Sequence, residues 1–127
     1  MITILCAIGL YASLFMLGKS RRAERGQLSD PSVVQTPRAR LFGGTPNAVV
    51  GSVYYPALAI AAWAAFGRAE LAVLVAVAAA AAAVSAFLAY SLLFVTRMPC
   101  IYCWTSHVAN WALLLLTALL LSKAMWP

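Results

Sequence analysis

Four long apolar segments dominate this sequence and strongly limit how the chain can fold. They cover approximately residues 1–18, 47–66, 70–95 and 99–122. At about 1.5 Å of rise per residue, a helix of about 20 residues crosses the ~30 Å hydrocarbon core of a membrane. Hydrophobic residues make up 65% of the chain and charged residues 9%, which is too little charge to cover a soluble domain of this size. The sequence therefore predicts a membrane protein.

We predict a single transmembrane domain over residues 1–127, an all-α polytopic membrane four-helix bundle. One long irregular loop, residues 19–46, joins helices 1 and 2; it is rich in Pro, Gly, Ser and Arg and has no periodic apolar face. The first segment is interpreted as a span and not as a cleaved signal peptide. Its positive charges follow the apolar run, whereas those of a signal peptide precede it.

The basic residues are concentrated at one end of the predicted bundle. The net charge is +6, and an even number of spans places Arg97 on the same side as the long loop, opposite Arg68 and Lys123. The positive-inside rule then predicts a cytoplasmic loop. We interpret the charge as a topology signal or a contact with anionic membrane lipid, and not as a nucleic-acid site. The loop holds six of the nine basic residues: Lys19, Arg21, Arg22, Arg25, Arg38 and Arg40.

Two of the three cysteines form a C-x-x-C motif in "MPCIYCWTSHVANW", at the start of the fourth span. The spacing turns Cys100 and Cys103 toward one face, and the backbone N–H groups of a helix start favour a thiolate. The motif therefore predicts an exchangeable redox disulfide. Cys6 lies about 18 Å from the loop end of the first span by helical rise, too far to pair with either. We expect it to pack as a small apolar side chain.

His107 continues the face of the two cysteines, within roughly 60° at about 100° per residue. An ionisable side chain inside a span usually faces the bundle interior, so we expect a hydrogen-bonding role. Cys100, Cys103 and His107 could instead be three metal ligands. The chain has no second Cys/His cluster to complete such a site, and we predict no metal.

The order of spans and two motifs resemble the vitamin K epoxide reductase family. One motif is "PCIYCWTSHVANW", which opens the last span, and the other is "RLFGGTPNAVVGSVYY", which leads into the second. The resemblance implies a membrane thiol:quinone oxidoreductase of the bacterial type, located in the cell membrane. In this chemistry the C-x-x-C disulfide is formed by passing two electrons to ubiquinone or menaquinone. It is then used to oxidise the thiols of another protein.

The resemblance also implies roles for individual residues. Cys103 would meet the quinone ring, and Cys100 would exchange with the incoming thiol. Asn47 would hydrogen-bond one quinone carbonyl, and His107 occupies the position from which some members contact the other carbonyl with a tyrosine. A quinone also needs an apolar, aromatic-lined slot, and the residues that can supply its walls are Phe42, Tyr54, Tyr55, Trp104 and Trp111.

Two of these assignments have structural alternatives. Asn47 follows Pro46 and is equally suited to be a plain helix N-cap. For Tyr54 and Tyr55, a packing or interfacial role is the favoured interpretation.

The sequence departs from the family in its long loop, which lacks the usual second cysteine pair. An external thioredoxin-like dithiol protein would therefore have to attack the Cys100–Cys103 disulfide directly. The alternative is a non-catalytic membrane module that binds a quinone-like lipid or a partner protein. The family usually places this loop on the periplasmic or lumenal side, in conflict with the charge distribution, and the sequence leaves the two orientations open.

Overall fold

Four helices make up most of the computed structural model, which describes residues 1–41 and 44–126. Each is long and apolar enough to cross a membrane, and a π-helical turn, Leu92–Thr96, extends the third. The chain is therefore an integral membrane protein with four spans, and the predicted all-α polytopic bundle is confirmed. The helices are α1 (Ile2–Glu24), α2 (Asn47–Ala64), α3 (Arg68–Ser91) and α4 (Ile101–Met125).

Helix α1 continues six residues beyond its predicted end at residue 18. The added segment "KSRRAE" contains neither Gly nor Pro and consists mostly of good helix formers. The helix stops where Gly26 adopts a left-handed conformation, with φ of 68°, as is common just after a helix end. The basic residues from Lys19 to Arg22 therefore belong to the helix and not to the loop.

The remaining loop is more ordered than the irregular segment predicted from the sequence. Two single 3₁₀ turns, Val33–Gln35 and Pro37–Ala39, lead into a short antiparallel pair of strands, β1 (Arg40–Leu41) and β2 (Thr45–Pro46). Side chains of Gln35 and Thr36 hydrogen-bond to nearby backbone atoms at 3.0 and 2.7 Å, which fixes turns that lack helical periodicity.

The helices pair in the order α2, α1, α4, α3. Helix α1 packs against α2 and α4, and α4 packs against α3, whereas α2 and α3 make few contacts with each other. Small residues permit the close approaches. On α1, a Cβ added at Gly9 would overlap the Tyr55 ring of α2. The face of α3 that is buried carries small residues at helical spacing, which lets the helices approach closely in lipid: Ala78, Ala82, Ser85 and Ala89.

The core lies between α1, α2 and α4, with one contribution from α3. Its buried cluster consists of Cys6, Tyr55, Leu58, Leu74 and Leu113. Cys6 is 2% exposed and is not part of a disulfide, so its predicted packing role is confirmed. Tyr55 belongs to this core and also lines a cavity near the loop end of the bundle.

Candidate functional site

Cys100 and Cys103 form a disulfide at the start of α4, with their Cα atoms 5.3 Å apart. Arg97, in the left-handed conformation with φ of 52°, turns the chain from the end of α3 toward α4. Cys100 then takes the N-cap position, and its Sγ accepts a hydrogen bond from the backbone N–H of Cys103 at 3.2 Å. Because the helix N-terminus carries partial positive charge, this position favours the thiolate that forms when the disulfide opens.

A cavity of about 360 Å³ lies next to the disulfide, between the four helices and under the loop. Cys103 lines it, whereas Cys100 does not. Of the two disulfide-bonded residues, only Cys103 therefore belongs to the cavity wall. Most of the lining is aliphatic, and it includes Val34, Val50, Val77, Val84 and Leu88.

The cavity opens sideways between α2 and α3. Val50 of α2 and Val77 and Val84 of α3 line the cavity, yet they are 37%, 44% and 38% exposed on the outer surface of the bundle. These three valines belong to α2 and α3, the two helices that make few contacts with each other. Since the outer surface of a membrane-spanning bundle faces lipid, this is the side of the cavity nearest the hydrocarbon phase.

Four polar atoms in the cavity wall are buried without a hydrogen-bond partner among residues 1–41 and 44–126. A buried polar atom left unsatisfied costs about 1–3 kcal/mol, and native structures keep few of them. All four belong to residues that line one cavity, which makes this cavity the candidate ligand site. The atoms are Asn47 Oδ1, Tyr54 OH, His107 Nδ1 and Asn110 Oδ1.

Asn47 is the first residue of α2, and Pro46 occupies the N-cap position without a side-chain cap. The alternative prediction of an N-cap at Asn47 is therefore wrong. Its Nδ2 donates instead to the backbone carbonyl of Arg38 at 2.9 Å. Because a carbonyl oxygen can only accept, this bond fixes the orientation of the amide and leaves Oδ1 as the unpaired atom.

His107 is 6% exposed and lines the cavity. Trp104 and Trp111 flank its ring, with centroid distances of 6.0 and 6.3 Å. Neither tryptophan lines the cavity, although both were expected around the ligand. Trp111 donates from Nε1 to the backbone carbonyl of Ala82 in α3 at 3.3 Å.

The helical wheel explains why the two tryptophans lie outside the cavity. At about 100° per residue, Cys103 and Asn110 lie roughly 40–60° to one side of His107, and Trp104 and Trp111 lie roughly 40–60° to the other. His107 therefore sits at the boundary between two faces of α4. The tryptophans pack against the side of the imidazole that faces away from the cavity, and the cavity lies on the side of Cys103.

Tyr55 lines the cavity, as expected, but its hydroxyl is used within the protein, donating to the Ser106 carbonyl at 3.3 Å. Tyr54, which sequence reasoning assigned to packing, has the free buried hydroxyl. Asn110 was not predicted as a site residue; its Nδ2 donates to Ser85 Oγ at 2.6 Å. The signal for Tyr54 was its position seven residues after Asn47, which places both on one helix face.

Two further sequence predictions concern this region. Phe42, expected in the wall, lies outside the described residues. In the part of the chain that the structure describes, no three His, Cys, Asp or Glu side chains come together as metal ligands.

Comparison with known families gives one result. The sequence model of the vitamin K epoxide reductase family matches residues 1–118, a range that contains all four helix starts, the disulfide and the residues that line the cavity. A comparison with curated proteins finds no match.

Proposed function

This chain belongs to the vitamin K epoxide reductase family, and we propose that it is a membrane thiol:quinone oxidoreductase that forms disulfides in a partner protein. Membership of the family implies oxidoreductase chemistry that links thiols and quinones in general terms. The proposal adds the identity of the exchanging cysteines, the ligand site and the source of the electrons. The observation that carries it is the position of Cys103 in the wall of a cavity with four buried polar atoms that have no hydrogen-bond partner among the described residues.

The cavity fits a quinone in size and in chemistry. Its volume of about 360 Å³ falls at the lower end of the roughly 300–1,000 Å³ range of small-molecule pockets. A quinone has a flat apolar ring and two carbonyl oxygens that accept hydrogen bonds. Tyr54 and His107 can donate to such oxygens, while the amide oxygens of Asn47 and Asn110 can accept from the hydroxyl groups of the reduced form. The opening toward lipid suits a ring that carries an apolar tail.

The two cysteines have separate tasks. Cys100 is half-buried beside the exposed Pro99 and Ile101, so we assign it to the partner. A thiolate of the partner attacks Cys100 Sγ, the Cys100–Cys103 bond breaks, and Cys103 leaves with the bonding electron pair. The second partner thiol then attacks the mixed disulfide and releases Cys100. The partner leaves oxidised, and both cysteines of this chain are reduced by two electrons in total.

Cys103 faces the cavity, so we assign it to the second half of the cycle. A bound quinone accepts two electrons and two protons and becomes a hydroquinone. Cys103 and Cys100 supply the two electrons as their disulfide forms again, and the loss of their two thiol protons balances the two protons that the hydroquinone takes up. Tyr54 and His107 hold the oxygens of the ring by hydrogen bonds that strengthen as those oxygens gain negative charge.

The electron donor must be a separate dithiol protein, and a thioredoxin-like fold would present two such thiols. Residues 19–46 contain no cysteine, so this chain has no internal relay from loop to membrane. Thiol labelling from each side of intact membranes will determine whether the partner acts in the cytoplasm, as the charge distribution favours, or on the opposite side. Thiol labelling repeated with ubiquinone and then with menaquinone shows which quinone returns the two cysteines to the disulfide.

The central test uses purified protein in lipid nanodiscs with a quinone and a reduced thioredoxin-like protein. We expect quinone reduction by the wild type and none by Cys103→Ala. When the partner is supplied in its disulfide form instead, the Cys100 thiolate of Cys103→Ser should attack that disulfide and form a mixed disulfide, whereas Cys100→Ser should not. Cys6→Ala, which removes only the buried core cysteine, should retain turnover. Unchanged turnover in Cys103→Ala would refute the proposal.

A second candidate function is a non-catalytic membrane module that binds a quinone-like lipid or a partner. The missing loop cysteines favour it, because a chain that has lost redox activity no longer needs a relay. It predicts that Cys100 and Cys103 remain free thiols in native membranes and that no added quinone oxidises them. Alkylation followed by mass measurement distinguishes the two functions.

A further inference from the structure

Arg38 contacts both sides of the opening between α2 and α3. Its guanidinium Cζ lies 5.0 Å from the centre of the Phe87 ring on α3. Its backbone carbonyl accepts the 2.9 Å hydrogen bond from Asn47 Nδ2 at the start of α2. Arg38 also lines the cavity itself. One loop residue thus connects two helices that otherwise make few contacts.

We propose that Arg38 is a positioning residue that fixes the Asn47 amide and closes the loop end of the α2–α3 opening, so that it sets the affinity for the quinone. This inference rests on the proposed function. The contact with Phe87 orients the side chain, because the guanidinium is attracted to the face of the aromatic ring. The oriented residue in turn holds its own carbonyl where Asn47 can donate to it.

The orientation of Asn47 shows why this matters for binding. The bond to Arg38 directs Nδ2 toward the loop and leaves Oδ1 as the unpartnered atom among the described residues. If the loop turn moves, the amide is free to rotate and to exchange its donor and acceptor. The ligand would then meet a mixture of two hydrogen-bonding groups where the wild type offers one, and its affinity would fall.

The neighbouring Arg40 shows that position, and not charge alone, distinguishes Arg38. Arg40 has the same charge in the same loop, but its guanidinium contacts Glu24 at 3.3 Å and the Gly44 carbonyl at 2.8 Å. Among the basic residues in the described ranges, Arg38 alone lines the cavity. The interpretation of this arginine as a topology signal or lipid contact is therefore incomplete.

The test compares single and double variants in nanodiscs, with a soluble short-tailed quinone as the probe. Its binding is measured by quenching of tryptophan fluorescence, and its turnover is measured as separate KM and kcat values. Arg38→Gln and Phe87→Leu should each raise Kd and KM about two- to fivefold, the size expected for an exposed cation–π contact, and change kcat less than twofold. The double variant should bind no more weakly than either single variant, because both changes break one contact. Arg38→Lys should recover part of the affinity.

Arg40→Gln is the matched control and should shift Kd by less than twofold. Equal losses in Arg38→Gln and Arg40→Gln would overturn the inference, since loop charge would then explain the effect. Additive losses in the double variant would also overturn it. Phe87→Leu keeps the arginine and provides the test if Arg38→Gln fails to fold. A wild type that binds no quinone refutes the proposed function together with this inference, whereas unchanged binding in Arg38→Gln refutes the inference alone.

Discussion

Replacing Tyr54 by Phe should weaken quinone binding and leave the protein at least as stable as before. The substitution removes one hydroxyl oxygen, which is buried in the cavity wall and has no hydrogen-bond partner within residues 1–41 and 44–126. The ring remains, and so does its edge-on contact with Tyr55, whose centroid is 5.0 Å away. Only the interaction of the hydroxyl with a ligand is lost.

The two effects have opposite signs and calculable sizes. A hydrogen bond contributes about 0.5–1.5 kcal/mol net, so Kd for the quinone should rise about 2- to 12-fold. Burying an unpaired hydroxyl costs about 1–3 kcal/mol, part of which Tyr54→Phe removes. The free energy of unfolding of the ligand-free protein should therefore stay the same or rise by up to about 1 kcal/mol.

Tyr55→Phe is the matched control, because its hydroxyl already donates to the Ser106 carbonyl at 3.3 Å. This variant should lose about 1 kcal/mol of stability and change quinone affinity little. Quinone affinity is read from tryptophan fluorescence, and stability from thermal unfolding in one detergent. Loss of stability in Tyr54→Phe with unchanged Kd would refute the reasoning, because the hydroxyl would then be structural.

Three further predictions test the packing and the surface of the site. Gly9→Val should lower stability by roughly 1–3 kcal/mol, because the new side chain overlaps the Tyr55 ring; Gly18→Val, where a Cβ would meet no atom within 4 Å, should have little effect in the same thermal assay. Ser85→Ala should cost about 1–3 kcal/mol in that assay because Asn110 Nδ2 loses its acceptor, and a neutral result would show that this bond contributes nothing. An acidic dithiol peptide should be oxidised faster than a basic dithiol peptide of equal length, because basic residues are concentrated at the loop end of the bundle. The difference in rate should shrink as the salt concentration rises. Equal rates at low salt would show that these basic residues do not steer partners.

The sequence was sufficient to predict the four spans and the disulfide, because both depend on local pattern. An apolar segment that crosses a membrane must satisfy its own backbone hydrogen bonds, and a helix does so. A C-x-x-C spacing at a helix start brings two sulfurs together. The end of α1 was predicted too early, because the basic segment after residue 18 was taken as a loop signal. The residues of this segment favour a helix, so α1 continues to Glu24.

The cavity wall was harder to predict, because it depends on how the helices rotate against each other. His107 was expected in the site, but its two tryptophan neighbours fall on the far side of a boundary that only the packing against α3 defines. Tyr54 and Tyr55 look equivalent in the sequence. Their hydroxyls differ because one reaches the Ser106 carbonyl and the other finds no acceptor in the described part of the chain.

The pairing order of the helices also has a consequence for synthesis of the protein. Neighbours α1 and α2 can associate as soon as both have entered the membrane, but α3 makes few contacts with α2 and must wait for α4. Helix α4, the last of the four helices to leave the ribosome, contacts both α1 and α3, and both cysteines of the disulfide lie at its start. A nascent chain that lacks α4 therefore has neither the complete binding chamber nor the reactive sulfurs. The thiol exchange proposed for Cys100 and Cys103 can therefore begin only after α4 has inserted.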